Sequence, residues 1–162
     1  MAVFAKNTLT QVSGFDNQII AGELVWQQNT FWNLALKADD GTPLDLSTAT
    51  IDAQIIRRTL SNVRDSRYGL AFDIGDYTPT PDPIPLTINT LGDGGDGAFT
   101  LVIDDSTWDL IAGQPELDIS SVNGAGFSGR IKISFPANGS VPANDLIIFL
   151  LFIVRSDAIV NN

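Results

Sequence analysis

The chain has 162 residues, 9 Lys+Arg against 19 Asp+Glu for a formal charge of −10, and neither His nor Cys. Without those two residue types, thiol nucleophiles, disulfides, Cys/His zinc centres and Ser-His-Asp triads are excluded, and the acidic balance argues against a partner gripped through phosphates. A single domain of this length buries about 70% of its unfolded surface and needs no staple, while 44% apolar and only 17% charged residues point to a packed module whose surface is small-polar or covered by other chains.

Residues 1–20 carry scattered apolar side chains without a clean period, which fits an N-terminal arm or an edge strand. The opening residues lack the basic-then-apolar order of a secretory leader. From Glu23 to Lys37, Leu24 and Trp26, then Phe31, Leu34 and Leu36, suggest two strands around Gln27–Thr30,. Asp39-Asp40-Gly41-Thr42-Pro43 is a turn with a mechanism: Asp accepts local amides, Gly supplies positive φ, and Pro limits pairing beyond it,. Ile51, Ala53 and Ile55 then fall on one face of a strand,.

Residues 57–97 read as a loop-rich excursion. Tyr68–Ile74 is a candidate strand, and the stretch 77–86 places prolines at 79, 81, 83 and 85, a density that favours polyproline II over sheet pairing,. Leu86–Leu91 is a short strand and Gly92–Gly97 a loop. Ala98–Asp104 follows as a strand with Phe99, Leu101 and Ile103 on one side. Asp105-Ser-Thr-Trp-Asp-Leu-Ile-Ala-Gly113 is the one convincing helix, capped by Asp105 or Ser106, ended by Gly113 and placed to plug one end of a β-layer,.

Glu116–Ser120 is expected as a strand, Asn123–Gly129 as a turn, and Arg130–Phe135 as an alternating strand. The run Leu146–Val154, LIIFLLFIV, is too short for a membrane helix, which needs about 20 residues,. As a strand it fails to alternate, so both faces should be dry, against the protein's own core or another chain. Seven to nine short strands with frequent turns predict an all-β fold, an antiparallel β-sandwich with one short helix and extended arms. The expected organisation is an arm or edge strand over 1–20, a sandwich over 21–156 with its proline-rich excursion at 77–86, and a C-terminal tail over 157–162.

Candidate chemistry is sparse. Asp39, Asp40 and Asp45 could ligate calcium, though the turn accounts for them without a metal. Asp104, Asp105, Asp109 and Glu116 offer no selected carboxylate pair for glycoside hydrolysis. Gly92–Gly97 has the glycines of a phosphate loop but no Lys-Ser/Thr after them. Arg57, Arg58, Arg64 and Arg67 gather much of the cationic charge, as a solvated loop or as partners for acidic surface on a neighbouring copy,. Trp26, Trp32 and Trp108 are core residues or a carbohydrate-stacking surface. Asn138-Gly-Ser matches a glycosylation acceptor but is discounted without a leader. No cofactor, metal, catalytic residue, nucleic acid or membrane is expected. The residues expected to make protein contacts are Val3 and Phe4 in the arm, Arg57 and Arg58, Tyr77, Pro79 and Pro81 in the excursion, and Ile148, Leu150 and Phe152 in the apolar strand.

Gly22, Phe31, Leu34, Leu36, Asp39 through Thr50, then Ala53, Gln54, Ile55 and Arg57 form a run that resembles tailed-phage virion proteins, in particular the N-terminal β-sandwich of upper-baseplate and related tail proteins. Gly97–Ile103, Glu116–Ile119 and Gly129–Ser134 continue the likeness. The resemblance implies a small, multi-copy virion building block without an active site, assembled in the host cytoplasm on other virion proteins. It implies a tail or baseplate adaptor; small size and an acidic surface suit a capsid decoration protein instead, and exposed tryptophans would suit a carbohydrate-binding module.

Overall fold

The computed structural model describes residues 10–12, 18–58, 82–114 and 125–156, with only the backbone described for 10–12 and Arg58. The strands are β1 (Thr10–Val12), β2 (Gln18–Val25), β3 (Thr30–Ala35), β4 (Thr50–Arg58), β5 (Ile84–Thr90), β6 (Ala98–Ile103), β7 (Ala125–Phe135) and β8 (Asn144–Arg155), with one helix, α1 (Asp105–Ala112). The strands form one sheet in the order β1-β2-β8-β7-β4-β5-β6-β3.

The all-β expectation holds, but the architecture differs from an antiparallel sandwich. The single sheet is mixed and curls nearly into a barrel. β2 and β8 run parallel from Gln18↔Ile148 to Val25↔Arg155, while the other ladders are antiparallel. A parallel pair joins strands far apart in the chain, so local turns and alternation give no sign of it. Curling brings β8 and β3, five places apart in the order, face to face: the rings of Trp32 and Phe152 lie 5.2 Å apart across the interior.

Alternation builds that interior. β3 alternates buried and exposed side chains along its length, sending Thr30, Trp32 and Leu34 inward. β4 contributes Ala53 and Ile55, β5 Ile84 and Leu86, β6 Phe99, Leu101 and Ile103, and β7 Phe127, Ile131 and Ile133. β7 begins at Ala125, so the turn expected over Asn123–Gly129 gives way to sheet from Ala125 onward, with Phe127 buried opposite Phe152. Gly129 lets β4 and β7 close on each other, because a Cβ there would run into the Gln54 carbonyl oxygen and approach the Ile55 Cα to 2.8 Å,.

α1 closes one end of the barrel. Its N-cap is Asp104, one residue before the expected candidates, and its Oδ1 accepts from the amides of Ser106 (3.1 Å) and Thr107 (3.3 Å),. Trp108 and Ile111 point inward and join the core. The Trp108 indole donates to the Gln28 carbonyl at 3.1 Å and meets Trp26 edge-on at 5.5 Å, which ties the helix to the turn after β2. The Trp26 amide donates to the Arg155 carbonyl at 2.8 Å, so β8 also ends here.

Candidate functional site

The most distinctive surface is the outer face of β8 with its neighbours. Ile148, Leu150, Phe152 and Val154 are at most 1% exposed and form the central wall of the core. This corrects the assignment of Ile148, Leu150 and Phe152 as contact residues. Side chains along a strand alternate between faces, so the outward set is Ile147, Phe149, Leu151 and Ile153, with Phe149 42% exposed and the others half-buried. The run is therefore dry on one face only. Its other face is apolar and partly open.

Register identifies the neighbours, because directly paired residues share a face. One row across the sheet reads Gln54, Arg130, Phe149, Ile19; the next reads Ile56, Ser128, Leu151, Ala21. Ile19 and Ala21 are buried although they lie on this outer face, whereas Ile20 and Leu24 belong to the barrel core. A third row places Asp52, Lys132 and Ile147 together. The Lys132 ammonium pairs with Asp145 at 3.1 Å, and hydrogen bonds from Ser134 and Lys132 hold the Asp145 carboxyl below its ordinary value. The result is an apolar strip with a mixed charged rim: Arg130, the Lys132–Asp145 pair and Asp52, and, beside Ile153, Glu23 facing Arg155 at 3.5 Å.

The other expected contact residues divide in two. Arg57 is neither in a solvated loop nor on a free surface: it sits in β4 opposite Phe127 and is 6% exposed. Arg58 ends the strand opposite Gly126, and its side chain lies outside the described residues. So do Val3, Phe4, Arg64, Arg67, Tyr77, Pro79 and Pro81, with the candidate strands at 68–74 and 116–120.

Four aspartates act as local caps. Asp40 accepts the Thr42 hydroxyl (2.6 Å) and amide (2.9 Å), which lowers its pKa. Ser47 does the same for Asp45, and the Ser106 hydroxyl (2.6 Å) for Asp104. Asp93 accepts the Gly95 amide at 2.9 Å. Among the described residues no group of three or more carboxylates is placed to hold a metal ion, and no helix is long and apolar enough to cross a membrane. Trp32 and Trp108 are 5% and 4% exposed, so neither offers a sugar-stacking face, while Trp26 is half-buried against Trp108.

The outward residues of β8 were hidden from sequence reading by parity. A nine-residue apolar run does not say which alternate set faces the core. β7 carries the missing information, since Ile131 and Ile133 alternate with Arg130, Lys132 and Ser134, but only the β7–β8 register transfers it to β8. No protein-family model matches the chain, and no curated protein matches it.

Proposed function

We propose that this protein is a non-enzymatic structural protein of a tailed-phage virion, a tail or baseplate adaptor present in several copies and docked on neighbouring virion proteins. The observation that carries the reading is the outer face of β8, where Phe149 is 42% exposed amid Ile147, Leu151 and Ile153. An apolar strip with a charged rim suits protein contact, whose centre is apolar and whose edge is polar. The sequence likeness over Gly22–Arg57 supplies the virion context. Asp40, Asp45, Asp93 and Asp104 are engaged as local caps, a structural use that accords with the non-enzymatic part of the reading.

The test is quantitative proteomics of purified particles, with immunogold labelling to locate the chain. The expected result is a fixed stoichiometry with label on the tail. Tens of copies suit a tail or baseplate and hundreds a capsid lattice. Absence of the chain from purified particles overturns the proposal.

A further inference from the structure

The barrel is polar in its chemistry as well as its shape. At the end closed by α1, the exposed face of the helix presents Leu110, 47% exposed, beside the exposed carboxylates of Asp105 and Asp109. These are held on a rigid support, because Trp108 and Ile111 anchor the same helix in the core. β8 ends at this same closure, where the Trp26 amide meets the Arg155 carbonyl. Phe149 lies six residues back along β8, about 20 Å from that end at ~3.3 Å per residue. The acidic surface around Leu110 and the apolar strip beside Arg130 thus occupy different parts of the molecule; both have an apolar centre, and Arg130 carries the charge opposite to that of Asp105 and Asp109.

We propose that the occupant of the β8 outer face is a second copy of this chain, which inserts Leu110 of α1 beside Phe149 while Asp105 and Asp109 approach Arg130. This contact rests on the structural-protein reading and gives it a geometry. Arg130 is the better anchor of the two cations. Its row across the sheet contains no carboxylate, whereas Lys132 is already engaged by Asp145 and faces Asp52. The Arg130 Nε is buried without a hydrogen-bond partner among the described residues, so this guanidinium has hydrogen-bonding capacity that a carboxylate would satisfy. Because the two surfaces differ, the contact is heterologous, and repeated association makes a ring or an open filament rather than a closed two-fold dimer.

Sedimentation velocity on the full chain tests this, with and without added salt. The expected wild-type result is oligomers that grow with concentration past the dimer and weaken in high salt. Leu110→Asp and Phe149→Asp each remove one surface, so each alone should stay monomeric. Mixed together they should form a dimer that stops there, since one intact pair of faces remains. Thermal unfolding checks that both variants fold. Should Phe149→Asp fail that check, Arg130→Glu takes its place, expected to weaken association about tenfold or more and to be rescued by Asp109→Lys on the partner copy. A wild-type chain monomeric up to about millimolar concentration overturns the proposal, as does association that Leu110→Asp leaves intact. Particle proteomics separates the two readings: a chain found in particles but monomeric in solution sinks this contact alone.

Discussion

Phe152→Ala and Phe149→Ala remove the same atoms from one strand three residues apart, yet their effects should differ severalfold. Phe152 is 1% exposed, pairs opposite Phe127 and lies 5.2 Å from the Trp32 ring. Truncating a buried Phe costs about 3–5 kcal/mol through lost transfer energy and the cavity left behind. The close Trp32 ring contributes to that loss, as aromatic pairs add about 0.5–1.5 kcal/mol beyond area burial. Phe149 is 42% exposed and leaves no enclosed cavity, so its loss should cost about 1 kcal/mol of partial burial. At roughly 2–4 °C per kcal/mol for a domain of this size, calorimetry on dilute protein should show Tm falling by about 6–20 °C for Phe152→Ala and by about 2–4 °C for Phe149→Ala. Equal drops would refute the alternation that places one residue in the core and the other outside.

Three further outcomes follow from other contacts. Gly129→Ala should be among the most damaging small changes, because its methyl would collide with the backbone of β4; loss of soluble protein or a cost above about 3 kcal/mol in urea unfolding is expected, and a near-neutral effect would contradict the close β4–β7 approach. Trp108→Phe keeps an aromatic ring but loses the donor to the Gln28 carbonyl and part of a buried indole, so chemical unfolding should show a loss of about 2 kcal/mol or more, and a near-neutral effect would contradict the anchoring of α1. The Asp104 carboxyl is held below its ordinary pKa, first by the Ser106 hydroxyl and then by the Thr107 and Ser106 amides. Its depressed folded pKa means that its contribution is present above the unfolded value near about 4 and is lost as pH falls through the folded value. Tm should therefore decline on acidification below about pH 4, and Asp104→Ala should lower Tm at neutral pH by about 1 kcal/mol equivalent while flattening the acid dependence.

The sequence determined what depends on neighbours along the chain. The alternation of Phe99, Leu101 and Ile103, or of Ile51, Ala53 and Ile55, marks a strand and its buried face wherever that strand is placed, because the pleat has a period of two. The turn at Asp39–Pro43 follows from Asp and Gly chemistry, and its Gly41 has φ +86°. The helix at Asp105–Ala112 was legible from its polar start and terminal Gly, although Asp104 rather than Asp105 or Ser106 supplies the cap because its side chain reaches the Ser106 and Thr107 amides.

What required the tertiary structure was everything that depends on which strand lies beside which. The nine-residue apolar run of β8 carries no internal mark of its inward side, so Ile148, Leu150 and Phe152 could be taken for contacts, with nothing to single out Phe149. Arg57 looks like a solvated charge until β7 is laid against β4 and puts it opposite Phe127. The parallel pairing of β2 with β8, and with it the step from sandwich to a nearly closed barrel, joins residues more than a hundred positions apart. Those pairings are selected by the free energy of burying all the strands together, a property of the assembled sheet that no single stretch of chain contains.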